Sequence, residues 1–267
     1  NTIDINKQDN DGKTALMLIA QYNTSSEKSS GYVYIHDNNN ISHLAIRYNR
    51  NIAMILYLCN TFKDTIDINQ QDNNGYTALM LAARYNPNGL IIKYLCDIFK
   101  DTIDINKTND NGDTALMLAA RYNTNDEVVQ CLCDTFKNEI DINKQNNDNY
   151  TALMLSAQYE SDNGKYLCNI FKDTLDFNKQ NNNGDTAFML AMHYEKDVYY
   201  FFKYQDQLDI NLKNKNGDTS LIFAIRLEDL TTYFCEQFKD IIDITIQYND
   251  GNTALMLAIQ HSYIEDT

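Results

Sequence analysis

Few residue types able to do chemistry occur in this 267-residue chain, and their spacing narrows what they could do. Six cysteines admit disulfide or zinc chemistry. Five of them, Cys59, Cys96, Cys133, Cys168 and Cys235, recur at one slot, just past the central apolar residue of an amphipathic stretch. Equivalent helices packed side by side lie about 8–10 Å apart, whereas a disulfide needs Cα atoms within about 7 Å. These thiols are expected to be small buried hydrophobes in a reducing compartment. Cys131 breaks the register and falls on a different helix face from Cys133, so a functional thiol there is the minor reading.

The four histidines, His36, His43, His193 and His261, are scattered along the chain. No G-x-S-x-G, H-E-x-x-H, G-x-G-x-x-G or G-x-x-x-x-G-K-[ST] occurs. Neither catalysis nor a cofactor is expected. The run Lys7-Gln8-Asp9-Asn10-Asp11-Gly12 faintly resembles a calcium loop, but such loops place a bidentate Glu six residues beyond the glycine, and Leu18 stands there. No metal site is expected either.

Twenty-two Lys and Arg against 37 Asp and Glu leave a formal charge of −15 and a pI near 4.5. A net anion is a poor partner for phosphate backbones or anionic lipid. No apolar run approaches the roughly eighteen residues of a membrane span. The expected partner is another protein, with neither nucleic acid nor membrane involved, in an intracellular, cytoplasmic setting. The opening phrase Asn1-Thr2-Ile3-Asp4-Ile5-Asn6 recurs mid-chain, so the sequence reads as cut from something longer. An effector domain outside it, with this chain as a targeting arm, is one alternative function.

These residues are positioned by a repeat. Thr-Ala-Leu-Met-Leu starts at Thr14, Thr77, Thr114, Thr151 and Thr253, with variants at Thr186 and Thr219, at spacings of 63, 37, 37, 35, 33 and 34. Inside the 63-residue gap, Leu44-Ala45-Ile46-Arg47-Tyr48-Asn49 copies Leu81-Ala82-Ala83-Arg84-Tyr85-Asn86, which predicts a degenerate eighth repeat. In each repeat a threonine N-cap opens a short helix. A second apolar stripe follows at i, i+4 and i+8, as in Ile91, Leu95 and Phe99, and Ile-Asp-Ile-Asn or a variant closes the repeat. A glycine ahead of each threonine supplies the left-handed residue of a tight turn, with Asn149 in its place before Thr151.

The phrase Asp72-Asn73-Asn74-Gly75-Tyr76-Thr77-Ala78-Leu79-Met80-Leu81-Ala82-Ala83, with its closing Ile-Asp-Ile-Asn, resembles the ankyrin repeat, whose motif runs D-x-x-G-x-T-P-L-H-x-A-A. The resemblance covers essentially the whole chain and is similar in composition to Asn- and Tyr-rich ankyrin proteins of giant viruses and protists. It implies an all-α ankyrin-repeat solenoid of about eight helix-turn-helix repeats joined by hairpin-like turns, incomplete at both ends, as one array over residues 1–267. First helices are expected near 14–22, 41–48, 77–85, 114–122, 151–159, 186–194, 219–227 and 253–261, with an irregular insertion at 23–40. Met replaces the family histidine, so the side-chain bond made by that histidine is expected to be missing, and second helices are expected to be longer than usual.

Slots that are uniform across the repeats read as scaffold, and slots that vary are free to meet a ligand. The variable slots are the turn tips and the ends of the first helices, which by resemblance line the concave, partner-gripping face. The candidate residues are Asn73, Asn74, Tyr76, Arg84, Tyr85, Asp110, Asn111, Asp113, Arg121, Tyr122, Asn147, Asp148, Tyr150, Gln158 and Tyr159. Tyr and Arg dominate binding hot spots, and the acidic tips suggest a basic or polar partner surface. The recurrent tyrosine could equally pack on the next repeat and bind nothing. End-to-end self-association through uncapped terminal repeats is the structural alternative.

Overall fold

The protein is described from a computed structural model that covers residues 4–22, 50–86, 89–159 and 162–265. Among these residues the regular structure is helical, with one isolated bridge between Gln247 and Thr253. Where the sequence reads as one array, the chain forms two compact lobes, Asn1–Asp141 and Ile142–Thr267.

In the N-terminal lobe the first helices are α1 (Ala15–Tyr22), α3 (Ala78–Tyr85) and α5 (Ala115–Tyr122), each packed on the next. Their partners α2 (Arg50–Phe62), α4 (Gly89–Phe99) and α6 (Asp126–Phe136) form a second layer. In the C-terminal lobe α7 (Ala152–Gln158) pairs with α8 (Asn163–Ile170) and packs on α9 (Ala187–His193). Then follow a 3-10 helix (Phe201–Gln207), α10 (Ser220–Ile225), α11 (Glu228–Phe238) and α12 (Ala254–Glu265).

The first helices start where they do because Thr77 and Thr114 cap them: each hydroxyl accepts the N–H of the methionine three residues on, at 3.3 Å. The same methionine answers. Met80 and Met117 sulfurs accept the threonine N–H at 3.5 Å, and Met17 does so for Thr14 at 3.4 Å. The bond expected to vanish with the family histidine is thus remade through a thioether, a weak acceptor that the buried site makes usable. Apolar residues of both layers fill the core, with Leu95, Cys96, Val128, Leu132 and Cys133 fully buried.

The degenerate repeat expected over 41–48 lies outside the described residues; among these, α1 packs directly on α3. Asn73 donates its N–H to Asp11 at 3.0 Å, and Asn6 spans Thr65 and Asp67, the bonds that join consecutive repeats elsewhere. Contrary to expectation, second helices are not uniformly long. α4, α6 and α11 have 11 residues, α8 has 8, and the fifth is a 7-residue 3-10 helix. There Tyr199-Tyr200-Phe201-Phe202 supplies poor helix formers. Their rings serve packing instead: Phe188 contacts Phe201 and Phe202 at 5.2 and 5.7 Å, and Phe202 contacts Phe238 at 5.5 Å.

Candidate partner-binding face

Each tip is built around one polar side chain. Asp72 Oδ1 accepts the N–H of Asn74 and Tyr76, and Asn109, Asn146, Asn181 and Asn214 repeat the pattern. This turn is closed by a left-handed residue, Gly75 at φ 77° or Asn149 at φ 60°. Tips then pair with one another: Asp110 donates its N–H to Asn74 at 3.1 Å in the N-terminal lobe, and Asn182 to Asp148 at 3.0 Å in the C-terminal lobe.

Behind the tips the closing asparagine acts as a strut. Asn69 Nδ2 donates to Thr102 O at 2.6 Å while its Oδ1 accepts Asp104 N–H at 2.8 Å, and Asn106 treats Glu139 and Asp141 alike. Asn143, Asn178 and Asn211 do the same in the C-terminal lobe. Sequence reasoning gave this residue no role, although its recurrence at one slot was the available signal.

The variable slots turn out to be coupled. The residue just before the capping threonine meets the residue eight positions on, at the end of the first helix. Lys13 Nζ donates to Gln21 Oε1 at 2.7 Å, Arg84 Nη1 to the Tyr76 hydroxyl at 2.5 Å, and Gln158 Nε2 to the Tyr150 hydroxyl at 3.3 Å; Arg226 pairs with Asp218 at 3.7 Å. One helix turn is 3.6 residues, so these residues share the helix side under the tip. Each such pair presents a polar knob, which is aromatic where Tyr76 and Tyr150 stand.

In the N-terminal lobe the knobs fuse. The Arg84 guanidinium lies 5.7, 5.0 and 4.5 Å from the ring centres of Tyr76, Tyr85 and Tyr122, and Arg121 lies 5.1 Å from Tyr122. Tyr122 therefore packs on the preceding repeat and still faces solvent: Tyr85, Tyr122, Tyr159 and Tyr194 are between 37% and 43% exposed. Asn73, Asn74, Asp110 and Asn111 are exposed in this lobe, and Asn147 and Asp148 in the other; Tyr150 and Gln158 are half-buried. Asp113 departs from expectation. It is 4% exposed, with its N–H on Asn109 Oδ1 at 2.9 Å, because the tip folds over it. The candidates Asn147, Asp148, Tyr150, Gln158 and Tyr159 belong to the C-terminal lobe and the other ten to the N-terminal lobe.

The cysteines divide. Cys59, Cys96, Cys133 and Cys168 are buried, and burial pushes the Cys59 thiol up to about 12. Cys235, expected in the same buried slot, is exposed, because among the described residues no second helix packs on α11 from the α12 side. Cys131 is half-buried, and a hydrogen bond from the Cys96 thiol pulls its own thiol below the usual range. Among the described residues no three His, Cys, Asp or Glu side chains group to hold a metal ion, and no helix is long and apolar enough to cross a membrane.

Short capped helix pairs, tied by side-chain struts and presenting variable knobs along one side, define a helical-repeat scaffold of the kind used for protein–protein recognition. The sequence matches the model of ankyrin repeats in three copies over residues 27–109 and 93–176, more than half of the chain. The chain belongs to the ankyrin repeat family. Three solved structures share the fold. The ankyrin repeat domain of Bcl-3, described as a unique member of the IkappaB family, is 18% identical at a TM-score of 0.61, covering 78% of this chain and 89% of that one. The ankyrin repeat protein EF0377 is 26% identical at 0.58, with 70% and 92% covered. The Bdellovibrio bacteriovorus predatory endopeptidase Bd0816 in complex with immunity protein Bd3460 gives 26% identity at 0.53, with the same coverage of 70% and 92%. No curated protein sequence matches the chain.

Proposed function

We propose that the chain binds a partner protein through the side of each lobe that carries the tips and first-helix ends, without chemistry of its own. The observation that carries this reading is the Tyr76, Arg84, Tyr85, Arg121 and Tyr122 cluster, half-exposed aromatic and guanidinium groups already held in place by one another. Preorganised Tyr and Arg lose little entropy on docking and are the commonest anchors of interfaces. The excess of carboxylates favours a basic or polar partner surface. The complex containing immunity protein Bd3460 supports a reading in which such a fold occurs in a protein assembly. Buried free thiols support a reducing, intracellular setting.

The test is affinity capture with mass spectrometry. A partner held by the native chain is lost when Tyr76, Arg84 and Tyr150 are changed to Ala together, and retained when Lys100, Lys137 and Lys172 are changed instead, with circular dichroism unaltered in both. Equal capture by the two variants removes this reading.

A second reading, self-association, has its own observation. On α12, Leu255, Met256 and Ile259 are 61%, 49% and 50% exposed, an apolar surface that a second copy could cover. A mass that stays monomeric by light scattering over a hundredfold range of concentration defeats it.

A further inference from the structure

Three successive repeats of the C-terminal lobe line an open cavity of about 370 Å³. Tyr150, Tyr194 and Phe223 supply its rings, and Asp185 and Asp218 its carboxylates. Residues 150, 185 and 218 hold the same slot of consecutive repeats, just before the capping threonine, so one ring and two carboxylates stand in file. His193 completes the wall, edge-on to Tyr194 at 4.8 Å and to Phe223 at 5.9 Å.

The two carboxylates differ. Asp218 is engaged by Arg226, whose guanidinium also lies 5.6 Å from the Phe223 ring centre. Asp185 accepts one hydrogen bond, from Asn214 Nδ2 at 2.8 Å, and among the described residues no Lys, Arg or His nitrogen comes within 4.0 Å of it. Lys215 also lines the cavity, as an exposed residue. The lobe as a whole carries ten Lys and Arg against nineteen Asp and Glu.

The N-terminal lobe shows what the chain itself places among such rings: Arg84, over Tyr76, Tyr85 and Tyr122. In the C-terminal lobe the first two corresponding slots hold Gln158 and His193, beside Tyr150 and Tyr194, and a guanidinium returns at Arg226, which is engaged by Asp218 and lies by Phe223. We propose that this cavity receives an arginine side chain of the partner protein, its guanidinium plane against Tyr150 and Tyr194 and its N–H groups on Asp185. A guanidinium suits both halves of the site, since it stacks on rings and bonds a carboxylate in a fork, whereas an ammonium is a hydrated point charge. This assignment rests on the protein-binding reading above, and supplies the chemistry of one of its contacts.

The experiment is an NMR titration of the full chain with N-acetyl-arginine amide, N-acetyl-lysine amide and the neutral isostere N-acetyl-citrulline amide. The arginine probe is expected to give saturable amide shifts centred on Asp185, His193 and Tyr194, with citrulline and lysine at least about tenfold weaker. Asp185→Asn and, independently, Tyr150→Leu weaken the arginine probe by a similar factor, while Asp173→Asn, at an exposed position outside the cavity, leaves it unchanged. Citrulline or lysine binding as well as arginine overturns the proposal, as do equal shifts at the Asp148 and Asp250 tips. Because no partner protein is present, failure here leaves the capture experiment standing. Equal capture by the two variants of that experiment, with the arginine probe still bound by the native chain, would remove the protein reading instead.

Discussion

At the residue scale, asparagine carries much of the architecture. Asn106 makes two hydrogen bonds to the following repeat, at 2.7 and 2.8 Å, so Asn106→Ala should cost about 1–3 kcal/mol in urea unfolding. Asn111→Ala, at an exposed tip, should stay within about 0.5 kcal/mol of the parent. The thiols give a second prediction. Ellman's reagent should titrate Cys235 first and Cys131 next in the native protein, with Cys59, Cys96, Cys133 and Cys168 released only on unfolding. Burial raises the pKa of Cys59, Cys133 and Cys168, so the folded state holds protons that the unfolded state gives up. Their contribution is fully present below the ordinary thiol pKa and is lost as pH rises from about 9 toward 12. Stability measured at pH 7.5 and pH 10 should fall, and Cys133→Val should lessen that fall. The asparagine struts were hidden in the sequence because the chain is asparagine-rich throughout, and nothing in a residue's type separates a bridging amide from a solvated one. The capping threonines were legible, since Thr followed by four helix formers has one physical reading, except at Thr219, whose hydroxyl makes no cap bond to α10.

At the scale of elements, the tips decide whether repeats stack. A Cβ on Gly75 would lie 2.8 Å from Asp110 N and 2.9 Å from Asn109 Cα, in addition to strain at φ 77°. Gly251 has the same kind of backbone, at φ 83°, with nothing within 4 Å. Gly75→Ala should therefore destabilise measurably more than Gly251→Ala in parallel thermal melts. Leu132→Ala, at the fully buried centre of α6, should cost about 2–5 kcal/mol, well above the ~1 kcal/mol of the cap deletion Thr114→Ala. α1, α3, α5, α7, α9 and α10 begin one residue past the threonine that the repeat places there, because cap and apolar run recur together, whereas α12 runs on to Glu265, four residues past the expected 261. The 3-10 helix at Phe201–Gln207 could not be read, because its aromatic residues satisfy the same apolar spacing whether the backbone is α or 3-10. The coupling of residues eight apart, as in Tyr76 with Arg84, was also hidden. Each slot was seen to vary, but their meeting depends on how the tip folds back over the helix.

At the scale of the whole molecule, uniform scaffold and variable knobs separate onto different residues, which lets one sequence keep its stack while changing its surface. The division at Asp141 into two lobes had no signal in the repeat, since Ile140-Asp141-Ile142-Asn143 matches Ile103-Asp104-Ile105-Asn106 letter for letter. The packing of α1 directly on α3 is likewise invisible to a period count. The most direct measurement of the central claim is hydrogen exchange, by mass spectrometry, on the chain with and without its captured partner. Recognition by the knobs predicts new protection in peptides spanning 72–85 and 110–122 and none on the exposed side of α4 and α6, whereas protection confined to α4 and α6 with the tips unchanged would contradict it.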